Sequence, residues 1–288
     1  MPLCAPYRFN LTFLSLMKRR KRIDLSLKGR RALVTGSSSG LGEAIVKMLA
    51  QEGAAVVVHG RDSVRVDAIV KAISDAGGRA DRTLGDLTTV AGADEVCGEA
   101  LANGPVDILV NNAGYYGSRG WLDTPEDEWL NAYNANVVSG VRMIKRLVPA
   151  MRERGWGRVI QIGGGLSQQP MASQPEYNAT LAARHNLAVS LARDLKGAGV
   201  TSNIVSPGCI RVSAVEDFLT GVSERLGWGE SWSEIEAGAC RDFIPNDIGR
   251  LGRPEEIAAA VAYLASPHAD YVSGAMIRVD GGLNRSIP

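Results

Sequence analysis

The chain has 288 residues, 45% of them apolar, and a net charge of +1. That is enough for one large α/β domain or two small ones with a substantial core. A nearly neutral balance gives no electrostatic footprint for nucleic acid, and no apolar run approaches the roughly 20 residues of a membrane span; the expected partners therefore include neither.

The charge is uneven along the chain. Nine cations against Asp24 give residues 1–31 a net charge of +8 and leave −7 for the remainder. Residues 11–17 are apolar, but the basic cluster Lys18 to Arg22 follows them. A secretory signal carries its charges before the apolar segment, so this is not one. Residues 1–26 are read as a disordered basic arm, and residues 27–288 as the folded domain.

The first element of that domain is a strand over 31–34. Behind it comes Thr35-Gly36-Ser37-Ser38-Ser39-Gly40-Leu41-Gly42, and then an amphipathic helix over 43–52. Strand, glycine turn and helix in this order form a phosphate-binding signature. Gly36 permits a tight turn, Gly40 a close backbone approach, and Gly42 close helix packing. Ser38, Ser39 and Leu41 complete the turn, and the helix start offers free N–H groups to an anion.

Strand and helix patterns then alternate. Residues 54–58 form a continuous apolar run, as in a strand covered on both faces. A helix over 63–76 ends at Gly77-Gly78. Further strands are expected over 79–84, 106–110, 158–162, 200–205 and 275–279, with helices over 125–154, 177–196 and 254–264. The fold class is therefore α/β, a single Rossmann-like, doubly wound parallel sheet of about seven strands. Ligands on such a sheet sit beyond the carboxyl ends of the strands. Three of those ends are polar or glycine-rich: 36–42, 111–114 and 163–167.

Cys4, Cys97, Cys209 and Cys240 are scattered, as are His59, His185 and His268. Neither a disulfide framework nor a metal site is expected, and a reducing, cytoplasmic setting is.

Taken together, Thr35-Gly36-x-x-x-Gly40-x-Gly42, Asn111-Asn112-Ala113-Gly114, Asn136, Tyr177, Ser206-Pro207-Gly208, Gly252-Arg253-Pro254 and the late Val279-Asp280-Gly281-Gly282 resemble the short-chain dehydrogenase/reductase family. The resemblance runs from about residue 27 to the end. It implies a nicotinamide cofactor, a homodimer or homotetramer, and a mobile lid between Cys209 and Asp247. It also implies cofactor contacts from Asp86, Leu87, Asn112, Ala113, Gly114, Tyr177, Pro207, Gly208 and Ile210, with Asp86 at the adenine, although a helix N-cap explains Asp86 equally well.

Cofactor choice has its own argument. An NAD site places an acid near the end of the second strand for the ribose 2′-hydroxyl. Here that place is Gly60, followed by Arg61. A guanidinium suits a 2′-phosphate in charge and geometry, so NADP(H) is expected.

The family's catalytic set is Asn, Ser, Tyr and Lys. Asn136 and Tyr177 stand in place, but Gly164 and Leu181 replace the serine and the lysine. Loss of a hydroxyl donor of this kind costs about 10²–10³ in rate. Ser167 and Gln168 are candidate substitutes, although solvation of the loop is the simpler reading of both. Arg184, roughly 10 Å along the helix from Tyr177, and His185 read as surface or interface residues. A neutral Tyr177 can donate a proton during carbonyl reduction and is a poor base for alcohol oxidation. The expected activity is thus NADPH-dependent reduction of a ketone or other carbonyl, with a nearly inactive dinucleotide-binding protein as the alternative. Tyr115, Tyr116 and Trp121, together with Phe218, Leu219, Leu226, Trp228, Trp232 and Phe243 of the lid, suggest a largely apolar substrate, and packing of the lid on the body accounts for the lid residues equally well.

Overall fold

In a computed structural model, the described residues are 23–117 and 119–285. The basic run Lys18 to Arg22 lies outside them. The body begins slightly before residue 27: Leu25 packs against the core, and the Asp24 carbonyl accepts a hydrogen bond from His268 Nε2 at 2.8 Å.

Seven parallel strands form one sheet in the order β3-β2-β1-β4-β5-β6-β7. They are β1 (Arg31–Val34), β2 (Ala55–Gly60), β3 (Arg79–Leu84), β4 (Ile108–Asn111), β5 (Gly157–Ile162), β6 (Val200–Pro207) and β7 (Met276–Val279). Side chains alternate between the two faces of a strand, and both faces here are apolar. Ala32, Val34, Val56, Val58, Ile108 and Val110 enter one core, with α1 (Gly40–Gln51), α2 (Ser63–Asp75) and α9 (Pro254–Ala265). Leu33, Val57, Leu109 and Val159 enter the other, with α3 (Val90–Leu101) and α5 (Ser139–Glu153). The α3 helix was not among the expected elements: its run of small residues gives a weak apolar stripe, although Thr89 caps it by accepting from Gly92 N.

Strand order reverses between β1 and β4, and this opens a crevice at their carboxyl ends;. The long helix expected over 125–154 is interrupted there. It consists of α4 (Glu126–Tyr133), a π-turn (Asn134–Val138) and α5. Such wide turns often mark functional positions, and this one contains Asn136. Next in the chain are α6 (Pro175–Asp194), α7 (Ser213–Leu226) and α8 (Trp232–Asp242). The last two form the segment expected as a lid.

Candidate active site

The glycine turn is held from below by side chains. Thr35 Oγ1 accepts from the backbone N–H groups of Asn112 and Ala113, each at 3.0 Å. Asn112 Nδ2 donates to the carbonyls of Thr35 and Gly36 at 2.9 and 3.0 Å. The ends of β1 and β4 are thereby tied together, and the Asn112 side chain is committed to the turn itself. Gly36 and Gly40 have φ of +63° and +57°, a region that favours glycine;. A Cβ on Gly42 would lie 2.2 Å from the Gly36 carbonyl oxygen, so the helix can start only with glycine there. Ser39, at the start of α1, makes no side-chain cap. The first N–H groups of α1 are therefore open to an anion, and the turn could hold a diphosphate.

His59 was not singled out in the sequence, yet it organises this turn. Its Nδ1 accepts from Gly36 N at 2.9 Å, and its Nε2 lies 3.2 Å from the Gly85 carbonyl. The pattern requires the neutral ring with the proton on Nε2. Burial lowers its pKa to about 4. Ser37 joins the same tie, donating to the Val34 carbonyl and accepting from His59 N.

Gly60 has no room for a side chain. A Cβ there would lie 2.8 Å from both Ser38 Oγ and Val66 Cγ2. Arg61 is exposed beside it. Asp86 is exposed too, and its Oδ1 accepts from Thr88 N and Thr88 Oγ1; these bonds, more than the nearby Arg61, hold its carboxyl below the usual range. The cap of α3 is Thr89, so Asp86 is not the helix cap. Leu87 is buried in the second core.

Residues 207–210 close the crevice from the other side. Pro207 ends β6, Gly208 N donates to the Val279 carbonyl, and Ile210 bridges Gly252. Val212 comes back over the glycine turn, 3.7 Å from where a Cβ on Gly40 would be.

Tyr177 lies in the first turn of α6, half-buried, with its ring 6.1 Å from that of Tyr116. Its hydroxyl has no hydrogen-bond partner among the described residues. Burial raises its pKa above the ordinary 10, against an opposing pull from Arg184. The Asn136 side chain is fully engaged: Oδ1 accepts from Tyr115 N at 2.6 Å, and Nδ2 donates to the Tyr115 carbonyl at 2.7 Å and to Thr180 Oγ1 at 2.9 Å. Thr180 Oγ1 in turn donates to the Tyr177 carbonyl at 2.8 Å. Asn136 and the start of α6 are thus one unit.

Two expectations need correction. Arg184 is not a surface residue. It is buried, and its guanidinium donates to the carbonyls of Asn136, Ile162 and Ala113. Its place seven residues after Tyr177 puts it on the same helix face, and β4, β5 and the π-turn converge on that face. Nor is His185 a surface residue: its Nε2 lies 3.2 Å from Ser167 Oγ, and that hydroxyl donates to the Gly164 carbonyl at 2.9 Å. Ser167 is therefore held by the protein rather than by solvent. At the places where the resemblance expects a serine and a lysine, Leu181 is buried and a Cβ on Gly164 would lie 3.0 Å from its Cδ1.

The lid aromatics divide. Leu219 and Trp228 are buried in the lid's own core with Ile235, Ala239 and Leu251, and Leu226 and Trp232 pack on it. Trp228 stacks edge-on against Phe243 and donates to Asp242. These residues hold α7 to α8, while Phe218, Tyr115, Tyr116 and Trp121 remain exposed. Among the described residues there is no group of three or more metal-binding side chains, and no helix is long and apolar enough to cross a membrane.

Residues 30–221 match the family model described as short chain dehydrogenase. The chain belongs to the short-chain dehydrogenase/reductase family. It is an oxidoreductase of that type, and its relatives agree. It is 38% identical over 267 residues to the uncharacterized oxidoreductase YvaG of Bacillus subtilis (strain 168), covering 92% of this chain and all of that protein. It is 32% identical over 259 residues to the 3-oxoacyl-[acyl-carrier-protein] reductase FabG of Vibrio harveyi, covering 90% and 99%. Among solved structures it resembles the L-sorbose reductase of Gluconobacter frateurii, complexed with NADPH and L-sorbose, with a TM-score of 0.86 and 30% identity over 92% of this chain and all of that one. It also resembles a 3-oxoacyl (acyl-carrier-protein) reductase of Agrobacterium tumefaciens C58 with NADP bound, with a TM-score of 0.82 and 34% identity over 93% of this chain and all of that one.

Proposed function

We propose that this family member is an NADPH-dependent carbonyl reductase that takes a ketone or other carbonyl to an alcohol. The observation that carries the reading is the Tyr177 phenol. Its hydroxyl has no protein partner among the described residues, burial holds it neutral, and the backbone carbonyl of Tyr177 is tied through Thr180 to Asn136. A neutral phenol at the crevice is a proton donor, which is the need of the reductive direction.

A nicotinamide nucleotide would supply the hydride when bound. The uncapped start of α1 and the turn from Gly36 to Gly42 would hold its diphosphate, with Asn112, Ala113 and Gly114 beyond β4 and Pro207, Gly208 and Ile210 on the other side of the crevice. Closure at Gly60 removes the acid that an NAD site requires, and Arg61 offers a guanidinium to the 2′-phosphate;. Asp86 and Leu87 border the adenine side. Tyr177 then gives its proton to the substrate oxygen, and Asn136 holds the start of α6 in register.

The substrate is a small molecule with an apolar portion, met by Tyr116 and the exposed Phe218. Exposed Trp121, Leu122 and Leu130 support self-association as a homodimer or homotetramer. The free thiols Cys97, Cys209 and Cys240 support a reducing, cytoplasmic setting;. A second reading is favoured by one observation, the sealed contact between Leu181 and Gly164: the chain binds the dinucleotide and turns over little.

NADPH oxidation with a panel of ketones, in the parent and in Tyr177→Phe, tests the proposal. The expected result is turnover that falls about 10²–10⁴-fold in the variant, with NADPH affinity unchanged. Tight NADPH binding with no turnover on any ketone would establish the second reading instead.

A further inference from the structure

Arg184 is a buried cation without an anion among the described residues. Its exposure is 6%, and its partners are three backbone carbonyls, those of Ala113, Asn136 and Ile162. Among the described residues, no carboxylate lies within ion-pair distance of it. Burying a charge in this way is costly unless something compensates. Carbonyl dipoles do so in part. Arg184 follows Tyr177 by seven residues, two turns of α6, so both side chains leave the helix on one face;. Tyr177 is the titratable group whose charge bears on Arg184, and Arg184 and Tyr116 are those that bear on Tyr177.

The usual source of positive charge is closed off. At the family's lysine position, Leu181 is buried against Gly164. Arg184 reaches the same region from one turn further along the helix. Its Nε meets the carbonyl of Asn136, the residue whose side chain steadies Thr180 and the first turn of α6.

We propose that Arg184 supplies Tyr177 with the positive charge that the missing lysine would have supplied, from beneath the site rather than beside it. The proposal rests on the carbonyl-reductase reading for the use to which the charge is put. When the carbonyl carbon accepts hydride, a C–H bond forms and the π pair moves to oxygen. The Tyr177 O–H bond breaks, its proton completes the alcohol, and a phenolate remains. The carbonyl is reduced at the expense of the nucleotide, and the phenolate regains a proton from solvent. The Arg184 guanidinium, which stays protonated throughout, offsets the charge left on the phenolate. It acts through Tyr177 and is a positioning residue.

The test reads the Tyr177 titration directly, without any substrate. 3-Fluorotyrosine is incorporated into the full chain, which brings phenol titration into a milder pH range. Fluorine NMR follows the resonance that disappears in Tyr177→Phe. The variants are Arg184→Met, Arg184→Gln, which keeps hydrogen-bond donors without charge, and Arg184→Lys, which keeps the charge. The Tyr177 midpoint is expected to rise by about one pH unit or more in Met and Gln and to stay near the parent value in Lys. If Arg184→Met does not fold, the comparison of Gln with Lys decides. Equal midpoints in those two overturn the proposal and leave Arg184 as a tie between carbonyls. A midpoint that moves as expected in a protein that reduces no ketone supports the charge pairing and defeats the reductase reading alone.

Discussion

Leu181 and Gly164 are complementary. The leucine fills the space above the glycine, where an added Cβ would lie 3.0 Å from Cδ1. The two positions at which the resemblance expects a serine and a lysine are therefore in contact. A side chain at 164 would press on the leucine's Cδ1.

The first prediction concerns that pair. Gly164→Ser alone should not restore a working hydroxyl, and it should cost about 1–3 kcal/mol by overpacking. The Gly164→Ser/Leu181→Lys double variant should recover that stability in part and raise kcat/KM on ketones about 10- to 100-fold over the single variant. Urea unfolding and steady-state kinetics on the single and double variants check both halves. Equal behaviour of the two would show that the positions are independent.

Cofactor choice should reside in Arg61. Removal of an exposed guanidinium from a 2′-phosphate should weaken NADPH binding about 10-fold, through loss of a charge-assisted hydrogen bond. NADH affinity should not change. Fluorescence titration of Arg61→Ala with both nucleotides measures this, and an unaltered ratio of affinities would remove Arg61 from the site.

Acid should loosen the glycine turn through His59. Its folded pKa, about 4, lies below the ordinary 6.5. The neutral ring's contribution to stability is therefore complete above pH 6.5 and is lost as the pH falls toward 4. The full difference is worth about 3 kcal/mol. Unfolding curves between pH 7.5 and 4 should show this slope in the parent. They should show a shallower one in His59→Asn.

Thr35 should matter more than its size suggests. Thr35→Val keeps the shape but strands the Ala113 N–H and leaves Asn112 N with its bond to the Val110 carbonyl alone. The expected cost is about 1–3 kcal/mol, with nucleotide affinity falling as the turn loosens. Calorimetric unfolding and NADPH titration report the two effects separately. A neutral substitution would mean that Asn112 Nδ2 holds the turn unaided.

What the sequence determined by itself was local in the chain. Apolar runs such as 56–58 and 108–110 mark strands because side chains alternate every residue. The glycines at 36, 40 and 42 mark the turn because their spacing fits one phosphate-binding geometry. The places of Asn136 and Tyr177 followed from short motifs. The tertiary structure alone decided the surroundings of those residues. Helical spacing puts Arg184 on Tyr177's face, but only the meeting of β4, β5 and the π-turn there makes it a buried cation. In the sequence His59 is the tail of a strand; the return of Gly36 and Gly85 onto its two ring nitrogens makes it a brace. Leu181 and Gly164 read as two separate losses until α6 packs on the end of β5. Each of these depends on a partner distant in the chain, and residue order does not encode who stands opposite.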